Sequence, residues 1–433
     1  MRNNIVYEGA DQLTYEIREI VNVAQKIEKT GVNISWENIG DPVAKGEIVP
    51  QWIKEVVADT VKNDNSSFGY SPTKGLLATR EYIAKERNLE GGIQISPEDI
   101  LFFNGLGDAI SKVYTYLNSK VRVIGPNPAY STHSSAEAGH ADAPHITYML
   151  DPDNFWYPDL DDLREKIIAN KNICGILIIN PDNPTGMVYP EEILKKIVDI
   201  AREFDLFIIS DEIYSNLCYG GIQHKKLASV IGEVPGLAMR GISKEFPWPG
   251  SRCGWVEFYN CDKDKDFALY AKTLLDAKML EVCSTTLPQK VLPKIMGDSR
   301  YYPYLSERNL IYENKANIAY DIFSKIPELL VHKPSGAFYM TVVFKKGVLN
   351  AEQKLIPANL EAGKIIEEIS KTDKLDKRFV YQLLASKGIC IVPLSSGFNS
   401  DLFGFRITLL ETDENKFKKN IETIALAISE YIK

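Results

Sequence analysis

The sequence predicts an α/β fold: a large part with a mostly parallel sheet flanked by helices, and a smaller α+β part from the last third of the chain. Three observations lead there. Between about 100 and 260, short apolar runs recur without polar alternation: "KVRVIG" (120–125), "CGILIIN" (174–180), "LFIIS" (206–210), "GLAMRGIS" (236–243) and "CGWVEF" (253–258). Strands apolar on both sides belong to sheets covered on both faces. Between two of these runs, "PEEILKKIVDIAREFD" (190–205) carries apolar residues at helical spacing, as a helix connecting parallel strands should. From 313 onward the texture changes to helices ("NLEAGKIIEEIS", "ENKFKKNIETIALAISEYI") mixed with short strands ("AFYMTVVF", "GICIVP", "FGFRITLL").

The remaining elements follow in order. Residues 10–29, "ADQLTYEIREIVNVAQKIEK", have helical periodicity and stop before Gly31. The stretch 345–379 is rich in Lys, Glu and Asp and reads as a solvated insertion. "KFKKN" is the solvated face of a helix, and no internal repeat is present.

Composition limits the function classes. A chain of 433 residues with 45% hydrophobic content suits two cores better than one. A net charge of −8 and a pI near 5.4 argue against a nucleic-acid surface. No apolar run approaches the roughly 20 residues of a membrane span, and the N-terminus is polar with no signal-peptide core, so a cytoplasmic protein is expected. Six scattered cysteines without a CxxC pair, and five dispersed histidines, favour reduced thiols and no metal site.

Ligands of open parallel sheets bind at the carboxyl ends of the strands. After "KVRVIG" comes "PNPAY", ending at Tyr130; after "CGILIIN" comes "PDNPTG", with Asn183; after "LFIIS" comes "DEIY", with Asp211 and Tyr214; after "GLAMRGIS" comes Lys244. Singly, each has an ordinary explanation: turn chemistry for "NPTG", a helix cap for "SDEIY", packing for the tyrosine, solvation for the lysine. Their order and intervals together point to a site.

The order "NPDNPTG", "SDEIY", then "SK" followed by "PGSRCGW", resembles the fold type I pyridoxal-phosphate enzymes, in particular the class I/II aminotransferases of the aspartate aminotransferase superfamily. "NIGDP" (38–42), "FGYSPTKGLLATREYIA" (68–84), "NGLGDAI" (104–110), "PNPAY", "PSGAFY" (334–339) and "FGFRITL" (403–409) extend it over almost the whole chain. The resemblance implies pyridoxal 5′-phosphate as cofactor, with Lys244 as its Schiff-base lysine and proton shuttle. Asp211 would face the pyridine nitrogen, Asn183 and Tyr214 the ring oxygen, and Tyr130 the ring face. The phosphate would lie against backbone N–H groups near Gly107 and Asp108, with Arg252 and Ser243. Tyr70 would reach the phosphate of a neighbouring subunit, implying a homodimer with shared active sites. Arg406 would bind the substrate carboxylate, and Gly40 would approach the substrate through its backbone, beside Asn183. On this reading 1–60 holds the N-terminal helix and a small-domain segment, 61–312 the large cofactor-binding domain, and 313–433 the small domain.

The stretch "EFPWPGSR" departs from the spelling of well-known subgroups. The second cation of aspartate-specific relatives is also missing. Where one subgroup has an arginine, this chain has Leu280 beside Glu281, and where another has a lysine it has Gly107. The expected reaction is therefore amino transfer from a neutral or aromatic α-amino acid to a 2-oxo acid. Alternatives are β-elimination of the C–S lyase type or another lyase on the same fold. A regulatory aminotransferase-like module is disfavoured by the acidic charge and by the roughly 35 residues before "NIGDP".

Overall fold

Eight strands form the central sheet, in the order Ile100–Phe103, Gly254–Tyr259, Gly236–Gly241, Phe207–Asp211, Ile173–Ile179, Arg122–Asn127, Thr147–Asp151 and Tyr157–Pro158. The structure, a computed structural model, describes residues 5–13, 16–372 and 374–433. Five strands in the middle run parallel. Gly254–Tyr259 runs antiparallel to both its neighbours, and Tyr157–Pro158 is antiparallel at the far edge. Apolar content marks a buried strand but not its direction. The connection from Gly241 back to Gly254 holds only a 3-10 turn and no helix of the kind that usually carries a parallel crossover.

The helix Glu191–Glu203 shows how the faces are covered. It starts after Pro190, carries Glu191 and Glu192 in its first turn and Arg202 in its last, and buries Leu194, Ile197, Val198 and Ala201. Each fully buried aliphatic side chain contributes on the order of 1.5–3 kcal/mol. The charge placement adds smaller favourable terms with the helix dipole.

A second sheet is antiparallel throughout, in the order Leu329–Val331, Tyr339–Phe344, Gly404–Thr408, Val392–Pro393. The 23-residue helix Tyr301–Phe323 leads into it. The N-terminal segment joins the same region, because Ser35–Trp36 pairs in parallel with Ile389–Cys390. The helical stretch read at 10–29 appears as a 3-10 turn at Glu8–Gln12 and a helix at Glu16–Glu28; positions 14 and 15 lie outside the described residues.

The charged stretch 345–379 is more than solvated chain. Leu349, Leu355, Ala362, Ile366 and Phe379 are buried, and the buried Asp376 accepts hydrogen bonds from Ser395 and from the Gly404 N–H. Its two helices, Leu360–Glu367 and Leu375–Lys387, turn an apolar face inward, and apart from Asp376 their charged side chains stay at least partly exposed. Residue 373 lies outside the described residues.

Candidate active site

Strand register gathers the polar residues. Ile179 pairs with Asp211 and Asp211 with Met239, so the loops holding Asn183, Tyr214 and Lys244 leave the sheet at one edge. Gly241 pairs with Gly254 and Gly254 with Phe103, which brings Arg252 and the turn at Gly105 to the same edge. The loop at Asn183 has its shape from Asp182, whose carboxylate accepts from the Thr185 N–H (3.0 Å) and hydroxyl (2.6 Å). Gly186 closes it at φ +74°, where a Cβ would come within 2.2 Å of the Tyr339 carbonyl oxygen. Only glycine allows that contact with the second sheet.

Asp211 is buried at the end of its strand. Its Oδ1 accepts from the Ile213 N–H (3.1 Å), and its Oδ2 lies 3.1 Å from Nε2 of His133. Nδ1 of His133 in turn lies 3.2 Å from the Tyr114 hydroxyl. Burial, chiefly, holds the Tyr114 phenol well above its ordinary pKa, so it remains protonated. The carboxylate is therefore oriented from behind by an imidazole and a phenol. Tyr130 lies against the same imidazole, with ring centroids 6.5 Å apart.

Lys244 is half-buried in the turn after Gly236–Gly241, and its Nζ donates to the Gly40 carbonyl at 2.7 Å. Desolvation lowers its pKa to about 8; Arg406 and Arg252 add to the lowering, and Asp41 and Asp211 oppose it. The Tyr214 hydroxyl lies 3.0 Å from that of Tyr339. Burial first, then Tyr339, keeps Tyr214 protonated far above neutral pH.

Arg406 is buried in the strand Gly404–Thr408. It donates to Asn183 Oδ1 (3.4 Å) and the Asn38 carbonyl (2.5 Å), and its guanidinium lies 4.5 Å from the Tyr339 ring centroid and 5.1 Å from that of Phe398. Such flanking rings hold a guanidinium plane in place.

Gly105, at φ +79°, opens the helix Leu106–Thr115, and a Cβ there would lie 2.5 Å from Arg252 Nη2. Arg252 itself is left-handed at φ 51° and exposed, its Nη1 donating to the Pro249 carbonyl at 3.1 Å. The first N–H groups of a helix have no intrahelical acceptor. Asp108 departs from the sequence expectation. Its N–H is taken by the Gly105 carbonyl (3.2 Å), and its carboxylate bonds the Asn104 N–H (2.9 Å), Lys112 and Lys278 (3.2 Å). An aspartate one turn into a helix caps its own N-terminus more readily than it frees a donor. The donors left at this turn are the N–H groups of Leu106 and Gly107.

The family model for aminotransferase class I and II matches residues 37–424. The chain belongs to that family. This aminotransferase is 56% identical over 433 residues, all of both chains, to an uncharacterized aminotransferase of Methanocaldococcus jannaschii. It is 29% identical over 354 residues to the glutamate-pyruvate aminotransferase AlaA of Escherichia coli, covering 80% of this chain and 84% of the other. The alanine aminotransferase from Pyrococcus furiosus has the same fold, with a TM-score of 0.84 at 26% identity over 99% of this chain and all of the other. The enzyme is a transaminase of a pyridoxal-phosphate-dependent family.

The residues of this aminotransferase fit such a cofactor. A guanidinium lies in a cradle that a single Cβ would fill, a buried carboxylate stands at the strand end, and an amine of lowered basicity stands nearby. Two expected residues are less closely tied to the rest. Tyr70 is 86% exposed, while Ser243 is half-buried beside Lys244. His133, Tyr114 and Tyr339 were not singled out from the sequence. His133 had a signal, since it falls three residues after Tyr130 in the first turn of the helix Ser131–Ala141. Among the described residues, no helix is long and apolar enough to cross a membrane, and no three His, Cys, Asp or Glu are grouped to hold a metal ion.

Proposed function

We propose that this aminotransferase moves the amino group of a neutral or aromatic α-amino acid to a 2-oxo acid, with Lys244 as its reactive amine. The observation that carries the reading is the Lys244 ammonium on the Gly40 carbonyl, flanked by the buried Asp211 and the arginines 252 and 406. Pyridoxal phosphate, when bound, supplies an electrophilic aldehyde carbon and a ring that accepts electrons from the substrate Cα.

The protein's own groups divide the remaining work. Arg252 and the N–H groups of Leu106 and Gly107 bind the phosphate. Asp211, held by His133, would keep a proton on the ring nitrogen, and Asn183 and Tyr214 would donate to the ring oxygen. Arg406 receives the substrate carboxylate in bidentate form. Lys244, when neutral, would serve as the base that takes the proton from the substrate Cα and as the acid that gives it back.

Charge neutralisation near the site supports a neutral donor. Lys112 and Lys278 both bond Asp108 and Glu281, leaving neither for a second substrate carboxylate. Leu280 is 84% exposed. Relatives named for alanine and for glutamate–pyruvate exchange agree with a small neutral amino acid on one side of the reaction.

A homodimer belongs to the same proposal. Phe68, Tyr70, Met279, Leu280 and Val282 are exposed on two segments joined by Thr73 to the Val282 carbonyl (2.9 Å) and Ser71 to the Ser284 carbonyl (3.2 Å). A contiguous apolar patch of this kind marks a contact surface. A second copy seated there would carry its Tyr70 toward this chain's phosphate site.

Absorbance tests the reading. The loaded protein is expected to absorb in the visible, to lose that band on Lys244→Ala, and to bleach with one neutral amino acid and recover with a 2-oxo acid. Saturable turnover of aspartate as first donor would overturn the donor class. Ammonia and pyruvate released with the band intact would replace transfer by elimination.

A further inference from the structure

Arg308 lies outside the motifs that resemble the aminotransferases, yet it is buried directly behind Lys244. It sits on the helix Tyr301–Phe323, whose inner face carries Tyr301, Leu305, Arg308 and Tyr312 at helical spacing. All five N–H donors of a guanidinium are used here. Nη1 donates to the main-chain carbonyls of Lys244 (2.9 Å) and Glu245 (2.5 Å). Nε and Nη2 grip the two carboxylate oxygens of Glu47 at 2.5 and 3.0 Å, and Nη2 also donates to the Tyr312 hydroxyl at 2.8 Å. The rings of Tyr304 and Tyr312 lie 5.6 and 5.4 Å from the guanidinium carbon.

The carbonyls it holds belong to a turn without a sheet ladder or helix to satisfy them. The Glu245 side chain secures the same turn by accepting from Tyr301 (2.9 Å) and Ser215 (3.1 Å). Glu47 ends the turn that begins at Asp41, and the carbonyl of Gly40, the residue just before that turn, receives the Lys244 amine. That turn is braced by Asp41, whose carboxylate accepts from the Val43 and Ala44 N–H groups, and by Lys45, which reaches Glu37 and Glu411. Lys244 is thus bracketed by one segment: directly at its amine through Gly40, and at its main chain through Glu47 and Arg308. A lysine has a long flexible stem, so the position of its amine depends on how firmly its own backbone is held.

We propose that Arg308, braced by Glu47, is a positioning residue that fixes the main chain of Lys244 so that its amine meets the cofactor and the substrate Cα in one geometry. This rests on Lys244 being the reactive lysine. A lysine at 308 keeps the charge but has three donors and no planar fork, so it cannot hold both carbonyls and Glu47 together.

The test compares wild type, Arg308→Lys and Glu47→Gln. In Arg308→Lys, kcat is expected to fall about 10- to 100-fold while KM for the amino donor changes by less than about threefold. The pH midpoint of the visible band is expected to move by more than roughly half a unit, because the amine is displaced among the charges that set it. Amide hydrogen exchange across 242–248, measured without added cofactor, is expected to rise relative to the rest of the chain. Glu47→Gln shifts each readout the same way by less. A folded Arg308→Lys protein with unchanged midpoint and unchanged exchange at 242–248 overturns the proposal, as does loosening spread evenly over the molecule. If Arg308→Lys does not fold, Glu47→Gln decides on the same readouts. A wild type with no visible band would defeat the proposed function, while exchange at 242–248 would still decide the clamp.

Discussion

In the role proposed for it, Lys244 must be held in place by the Gly40 carbonyl yet be free of its proton often enough to react. Desolvation first, then the arginines 406 and 252, bring it to about pKa 8 against the pull of Asp41 and Asp211. The sign follows from the chemistry, since only the neutral amine is a nucleophile. Capture of added pyridoxal phosphate by the cofactor-free protein is therefore expected to accelerate as pH rises from 7 and to level off above about 8. A stopped-flow series at constant ionic strength checks this. A rise continuing toward pH 10.5 would mean that the amine is solvated and unperturbed.

At the scale of elements, the decisive feature is the start of the helix Leu106–Thr115. Gly105→Ala places a Cβ at a positive φ and against the Arg252 guanidinium. Losing a charge-assisted phosphate contact costs about 1.5–3 kcal/mol, or roughly 10- to 100-fold in cofactor affinity. Spectrophotometric titration should show this for Gly105→Ala and for Arg252→Ala, and the double variant should lose little more, because both remove one interaction. The motif around this turn was readable from the glycines and the helix behind them. The role of Asp108 was not, because an aspartate near a helix start can expose its N–H or cap the turn, and Lys278, 170 residues away, draws it toward the second.

For the whole molecule, the apolar surface at Phe68, Tyr70, Leu280 and Val282 sits beside the turn that carries Arg252, the proposed phosphate cradle: Thr285 donates to the Arg252 carbonyl at 3.0 Å and Thr286 to the Gly69 carbonyl at 2.7 Å. Leu280→Glu is expected to turn a dimer into a monomer in light scattering, and to weaken cofactor binding even though residue 280 touches none of the cradle. A dimer persisting in Leu280→Glu with unchanged cofactor affinity would place the subunit contact elsewhere.

Local signals determined much of this protein. Uniformly apolar runs marked the strands, and what followed each run named Tyr130, Asn183, Asp211, Tyr214 and Lys244 as edge residues, because period and turn chemistry act over a few residues. Strand direction at Gly254–Tyr259, the packed character of 345–379, and the groups behind the site were left to the tertiary structure. His133 behind Asp211, Tyr339 beside Tyr214 and Arg308 behind Lys244 are 78, 125 and 64 residues from their partners. His133 alone has a local signal, its place three residues after Tyr130, and even there no local pattern encodes its pairing with Asp211. Such pairs are chosen when the buried carboxylate, phenol and carbonyls each require a partner, and only the folded arrangement decides which side chain is within reach.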